Sequence, residues 1–117
     1  MQILESLINK NSATFRVNQD RMRQVVGDLR ARIAAAREGG GPKYVQRHRE
    51  QGKLPVRERI ARLIDPGSLF LELSPLAGHL VYEDVTPGAG IVTGIGRVAG
   101  RDVVIVANDA TVLGVPY

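Results

Sequence analysis

The run Val103-Val104-Ile105-Val106-Ala107 constrains this chain more than any other feature. Five consecutive apolar residues, four of them β-branched, read as a strand that is apolar on both faces. Such a strand needs neighbours on both edges and cover above and below. Only ten residues follow it. Upstream, Ile91 to Val98 reads as a second strand and Ala99-Gly100-Arg101 as a turn, so the pair is expected to be an antiparallel hairpin. Two strands alone are marginal in water. The sheet is therefore expected to be completed by a partner chain or by sequence that this chain stops short of, the second being the favoured expectation.

The charge is divided between the two halves. Residues 1 to 62 hold 14 Lys/Arg against 6 Asp/Glu, a balance of +8, and residues 63 to 117 hold 2 against 6, a balance of −4. A basic, helical-looking half thus precedes a mildly acidic, strand-looking half, and the basic half suits an anionic partner as well as it suits a solvated face. With two Phe, three Tyr and no Trp the chain has little to stack on bases, which argues against nucleic acid. No stretch approaches the roughly 18 to 20 apolar residues of a membrane span, and Met1-Gln2-Ile3-Leu4-Glu5 lacks the pattern of a secretory signal. The absence of cysteine removes disulfides, thiolate metal sites and a cysteine nucleophile, and a soluble, cytoplasmic chain is expected.

Three helices are expected in the basic half. After an arm over residues 1–17, Asn18 is an N-cap type, and Met22, Val25, Val26, Leu29, Ile33 and Ala36 form one stripe over Gln19 to Arg37. Asp28 and Arg32 stand four apart on that helix, and Gly39-Gly40-Gly41 ends it. Pro42 opens a short polar helix to about Glu50. Pro55 opens a third, in which Val56, Ile60, Leu63 and Ile64 are the expected buried stripe and Asp65-Pro66-Gly67 the stop. Leu69 to Leu73, interrupted by Glu72, reads as an edge strand or extended arm, and Ser74 to Gly90 as a loop. The organisation expected is an arm (1–17), a basic helical segment (18–65) and the start of a sheet domain (66–117).

Few motifs carry chemistry. Gly94-Ile95-Gly96-Arg97-Val98-Ala99 matches G-x-G-x-x-A, but a strand follows it where a dinucleotide site needs a helix. Those glycines are expected instead to admit another group close to the backbone. His48 and His79 are too far apart for a ligand pair, and no metal site is expected. No nucleophile elbow, P-loop or carboxylate pair stands out, so no catalytic side chain is assigned. The cluster Arg47-His48-Arg49 with Lys53, Arg57 and Arg59 is the best binding candidate. Arg57 and Arg59 diverge on a helix, so one of them is expected to brace structure, while Lys53 lies where an ammonium and a helix start could share a phosphate.

These residues also carry a resemblance. Gly39-Gly40-Gly41, His48, Gly52-Lys53-Leu54, Arg57-Glu58-Arg59-Ile60, Asp65-Pro66-Gly67-Ser68, Phe70-Leu71-Glu72-Leu73-Ser74, Gly90 to Val98 and Val104 to Val112 form an ordered series of blocks. Together they resemble the amino-terminal segment of the biotin-dependent acyl-CoA carboxylase carboxyltransferase (β) subunit. The nearest branch is the methylcrotonyl-CoA one, with the geranyl-CoA and propionyl-CoA branches next. The match runs from about residue 18. Two departures stand out: Gln51 where the family has Arg, and Leu113-Gly114-Val115-Pro116-Tyr117 where the family continues Lys-Gly-Gly-Thr-Tyr-Tyr-Pro.

The resemblance implies a mixed α+β or α/β fold, with N-terminal helices and then a β-hairpin opening a crotonase-like (ββα) carboxyltransferase domain, incomplete in this chain. It implies CO2 transfer from carboxybiotin to an acyl-CoA such as 3-methylcrotonyl-CoA, in leucine catabolism. Biotin would sit on a partner carrier domain, with a biotin carboxylase subunit and a homo-oligomeric β core as further partners. Catalysis in the family rests on backbone N–H oxyanion holes, and the glycine-rich segments that form them lie beyond Tyr117, so the fragment is expected to be inactive alone. Lys53, Arg57 and, in the diverged tail, Gly114 are the candidate CoA contacts. The competing reading is a non-enzymatic basic module that binds an acidic partner or nucleic acid.

Overall fold

The structure is a computed structural model that describes residues 3–81 and 87–112. These residues form α1 (Ala13–Arg37), α2 (Pro42–Glu50), α3 (Val56–Leu63), β1 (Leu71–Leu73), a tight turn at Pro87–Gly90, β2 (Ile91–Val98) and β3 (Arg101–Asn108). The chain divides into two compact units, Met1–Ala31 and Arg32–Tyr117, a different division from the three segments expected.

In the first unit the helix begins six residues before the Gln19 expected, because Ser12 rather than Asn18 caps it. Ser12 Oγ accepts the Phe15 N–H at 3.1 Å and Ser12 O accepts the Arg16 N–H at 3.2 Å. That satisfies donors which otherwise have no partner inside the helix. No residue of α1 is buried, although the expected apolar stripe is present: Met22 is 61% exposed and Leu29 46%.

In the second unit α3 lies on the sheet and supplies its core. Val56 and Ile60 are buried with Val92 of β2 and Ile105 of β3, and Ile64, Phe70, Val103 and Ala107 pack around them. Leu63, expected in the buried stripe, is exposed. Helical geometry ends there and Ile64 turns extended, so Ile64 takes the inward place and meets the strand over Gly96.

The sheet has the order β1-β2-β3 with both pairs antiparallel. The expected hairpin is present, and the segment read as an edge strand pairs with it, Glu72 opposite Gly94. The central strand is β2. Among the described residues Val103 to Ala107 has one strand neighbour, in keeping with the expectation that the rest of its layer is supplied from elsewhere. Its inward side chain Ile105 is buried, whereas Val104 and Val106 on the opposite face are 72% and 68% exposed. Leu71, Leu73 and Ile95 share that open face.

Two local devices fix this arrangement. A Cβ on Gly94 would lie 2.3 Å from the Phe70 ring, and one on Gly96 would lie 2.8 Å from Ile64 Cγ2. The G-x-G pattern therefore admits core side chains against the strand. At the hairpin turn, Ala99 and Gly100 both take positive φ, as a primed two-residue turn demands. Asp65, just after α3, accepts both of their N–H groups, at 2.7 and 2.8 Å, and its own N–H donates to Arg97 O at 2.8 Å.

Candidate functional site

The second unit holds a cavity of about 380 Å3. Arg37 and Glu38 at the end of α1 form one wall and Pro42, Val45 and Arg49 of α2 another. Pro55, Val56, Arg57 and Glu58 at the start of α3 and Asp109 and Thr111 after β3 close it. The glycine triplet makes this closure possible. Gly40 N–H donates to Thr111 Oγ1 at 3.0 Å, and a Cβ on Gly40 would lie 1.8 Å from Thr111 O. Thr111 is buried, and Asp109 Oδ1 accepts both its hydroxyl, at 2.5 Å, and its N–H, at 3.0 Å.

Each guanidinium lining the cavity faces a carboxylate. Arg57 makes a bidentate pair with Glu72 of β1, at 2.7 and 2.8 Å, and Arg37 Nε stands 3.8 Å from the same carboxylate. Arg49 pairs with Glu58. The Glu72 side chain is only 10% exposed, so its pairing with Arg57 is a charge-assisted bond sheltered from water and ties α3 to the edge strand. Among the described residues no buried side-chain polar atom lacks a partner, and no group of three or more His, Asp or Glu is placed to hold a metal. The cavity thus offers apolar walls and a rim of matched charges, and its hydroxyl–carboxylate pair, Thr111 on Asp109, is engaged in holding Gly40.

Of the candidate CoA contacts, Arg57 lines the cavity, with its guanidinium on Glu72, and Lys53 does not. Lys53 is exposed on the loop between α2 and α3, where its Nζ donates to Gln51 Oε1 at 3.1 Å. Gly114 lies outside the described residues. His48 Nε2 is 3.2 Å from Leu54 O and holds the same loop to α2. Glu72 was legible only as an interruption of a strand, yet it is the hub of the site. The signal available was a lone acid in an apolar strand following an arginine-rich helix.

A profile of the carboxyl transferase domain matches residues 47–117. The chain belongs to this family. It is 51% identical over 116 residues to a probable mitochondrial methylcrotonoyl-CoA carboxylase beta chain of Drosophila melanogaster, an alignment spanning 98% of this chain and 20% of the relative. It is 57% identical over 98 residues to the biotin-dependent 3-methylcrotonyl-coenzyme A carboxylase beta1 subunit of Mycobacterium tuberculosis, spanning 84% and 18%. Among solved structures, the geranyl-CoA carboxylase beta subunit of P. aeruginosa superposes with a TM-score of 0.79 at 31% identity, covering 94% of this chain and 20% of that one. The hexameric transcarboxylase 12S, crystallised with hydrolysed methylmalonyl-coenzyme A, gives 0.72 at 35% identity, covering 80% and 19%. The chain therefore spans about a fifth of the length of these relatives. It has the expected mixture of helices and antiparallel sheet, and no helix among the described residues is long and apolar enough to cross a membrane.

Proposed function

We propose that this chain serves as the amino-terminal part of a biotin-dependent acyl-CoA carboxylase carboxyltransferase subunit with 3-methylcrotonyl-CoA as its acyl substrate. The observation that carries this reading is the 51% identity maintained across 98% of the chain to a methylcrotonoyl-CoA carboxylase beta chain. The hairpin then opens a crotonase-like domain whose oxyanion-hole segments belong to the four-fifths of the relatives not matched. A homo-oligomeric β core, a carboxylase partner and cytoplasmic residence complete the proposal.

Biotin supplies the carboxyl group in such enzymes. In this chain the cavity's arginines face carboxylates, Arg57 and Arg37 on Glu72 and Arg49 on Glu58. On the strength of the family, biotin is assigned to a carrier partner. The part given to this chain is acyl-CoA binding, with Lys53, Arg57 and Gly114 as candidate contacts: Lys53 offers an exposed ammonium to a phosphate, whereas the Arg57 guanidinium is already held by Glu72.

A chimera tests the proposal. Residues 18–112 replace the equivalent segment of the Mycobacterium tuberculosis beta1 subunit, and the assembled holoenzyme is assayed with 3-methylcrotonyl-CoA. Retention of at least about a tenth of the parent kcat/KM is expected, since a loss up to that size costs no more than about 1.4 kcal/mol of transition-state stabilisation. An assembled chimera that is inactive, or that carboxylates other acyl-CoA thioesters in preference, overturns it. In the same chimera Lys53→Ala is expected to raise the acyl-CoA KM with a smaller change in kcat, and an unchanged KM removes Lys53 from the site.

A further inference from the structure

Helix α1 carries a pattern that neither the cavity nor the sheet uses. Phe15, Met22, Leu29 and Ala36 recur every seven residues, and Gln19, Val26 and Ile33 fall between them in the 4-3 spacing of a coiled-coil seam. Beside that seam stands a second heptad series, Arg16, Arg23, Arg30 and Arg37. Between Phe15 and Arg30 the seam and its arginines line an open groove along the helix, with Gly27 on the arginine side. Gly27 lies beyond the arginine row, and nothing stands within 4 Å of its Cβ position, so that flank of the groove is open.

We propose that α1 is the docking helix for an acidic amphipathic helix of another protein, which lays its apolar stripe along Phe15, Met22, Val26 and Leu29 and sets Asp or Glu side chains opposite Arg16, Arg23 and Arg30. Charge complementarity selects this occupant over a second copy of the chain. In an antiparallel self-pair each arginine row meets the other arginine row. In a parallel self-pair the arginines meet Asn18, Val25 and Arg32. The acids of the helix, Asp20 and Asp28, fall further round the cylinder; Asp20 stands 3.7 Å from Arg23 on the same helix as an exposed pair worth little, so Arg16 and Arg30 carry most of the like-charge opposition in an antiparallel self-pair. Like charges along a seam oppose that pairing and favour a partner of opposite sign. The inference stands independently of the carboxyltransferase reading, since it involves no acyl-CoA.

The test titrates the full-length chain against a labelled three-heptad peptide with Leu at a and d and Glu at e and g, followed by fluorescence anisotropy, beside the same peptide with Lys at e and g. Saturable one-to-one binding of the Glu peptide alone is expected. Arg16→Glu, Arg23→Glu and Arg30→Glu combined should weaken it about tenfold, as three modest exposed ion pairs would sum to, and should turn the preference to the Lys peptide. Met22→Asp should abolish binding while circular dichroism shows the helix retained. Equal binding of both peptides, self-association that excludes the Glu peptide, or binding confined to phosphatidylglycerol vesicles or to oligouridylate each overturns the proposal.

Discussion

Single residues decide how the second unit holds together. Gly40 lies against Thr111 O so closely that Gly40→Ala must move one backbone or the other; it is expected to destabilise by about 1–3 kcal/mol, the usual cost of forcing atoms into a filled site, read as a lowered urea midpoint at unchanged slope. Asp65 holds the Ala99 and Gly100 N–H groups with one carboxylate, so Asp65→Ala is expected to cost about 1.5–3 kcal/mol, as for bonds to a charged group, and Asp65→Asn distinctly less because one acceptor remains. An Asp65→Ala protein as stable as its parent would show that the hairpin turn stands alone. Neither contact was legible in the sequence. Glycine and aspartate announced a break and a stop, but their partners lie 71 and 34 to 35 residues away, and no local rule carries over that distance. Arg57 illustrates the opposite case: two arginines diverging on a short helix implied that one braces structure, and Arg57 is found on Glu72.

At the scale of elements, periodicity gave most of the layout. The 3.6-residue stripes and the Pro and Gly punctuation located the three helices, and the apolar runs located the hairpin. What misled was the start of α1, where Ser12 acts before any stripe begins; for β3 the apolar run rightly implied a sheet not completed within this chain but did not say which face would be open. A strand of β-branched residues looks the same whether both of its faces are covered or one is left open. The open face leads to an expectation of its own. Replacing Val104 and Val106 together by Thr, which keeps the branched shape, should change the stability of the isolated chain by less than about 0.5 kcal/mol per site, as is usual for exposed positions, and should reduce its self-association in sedimentation velocity. In the assembled chimera the same pair should lower activity or yield if the remainder of the subunit covers that face. Phe70→Ala, by contrast, empties the space over Gly94 and Gly96 and is expected to cost about 3–5 kcal/mol even in the isolated chain.

For the whole molecule the small core is the governing fact. Four apolar residues, Val56, Ile60, Val92 and Ile105, are the buried hydrophobic set of the described chain. At about 0.05–0.15 kcal/mol per residue an ordinary domain of this length would hold about 6 to 17 kcal/mol. The isolated chain is expected to fall well below that range and to melt broadly, with dye binding before the transition. A sharp two-state transition in calorimetry, with equal calorimetric and van't Hoff enthalpies, would contradict this. The candidate site is only partly readable for a similar reason: family blocks pointed to Lys53 and Arg57, yet only Arg57 lines the cavity, and its guanidinium is taken up by Glu72 fifteen residues away, a pairing no local rule announces. Among the described residues β3 has a strand on one side and a bare flank, which bears on the fate of the polypeptide in a cell. A hydrophobic ribbon facing water is what chaperones grip and proteases follow, so covering Val104 and Val106 is expected to lengthen the half-life of this polypeptide in a pulse-chase measurement.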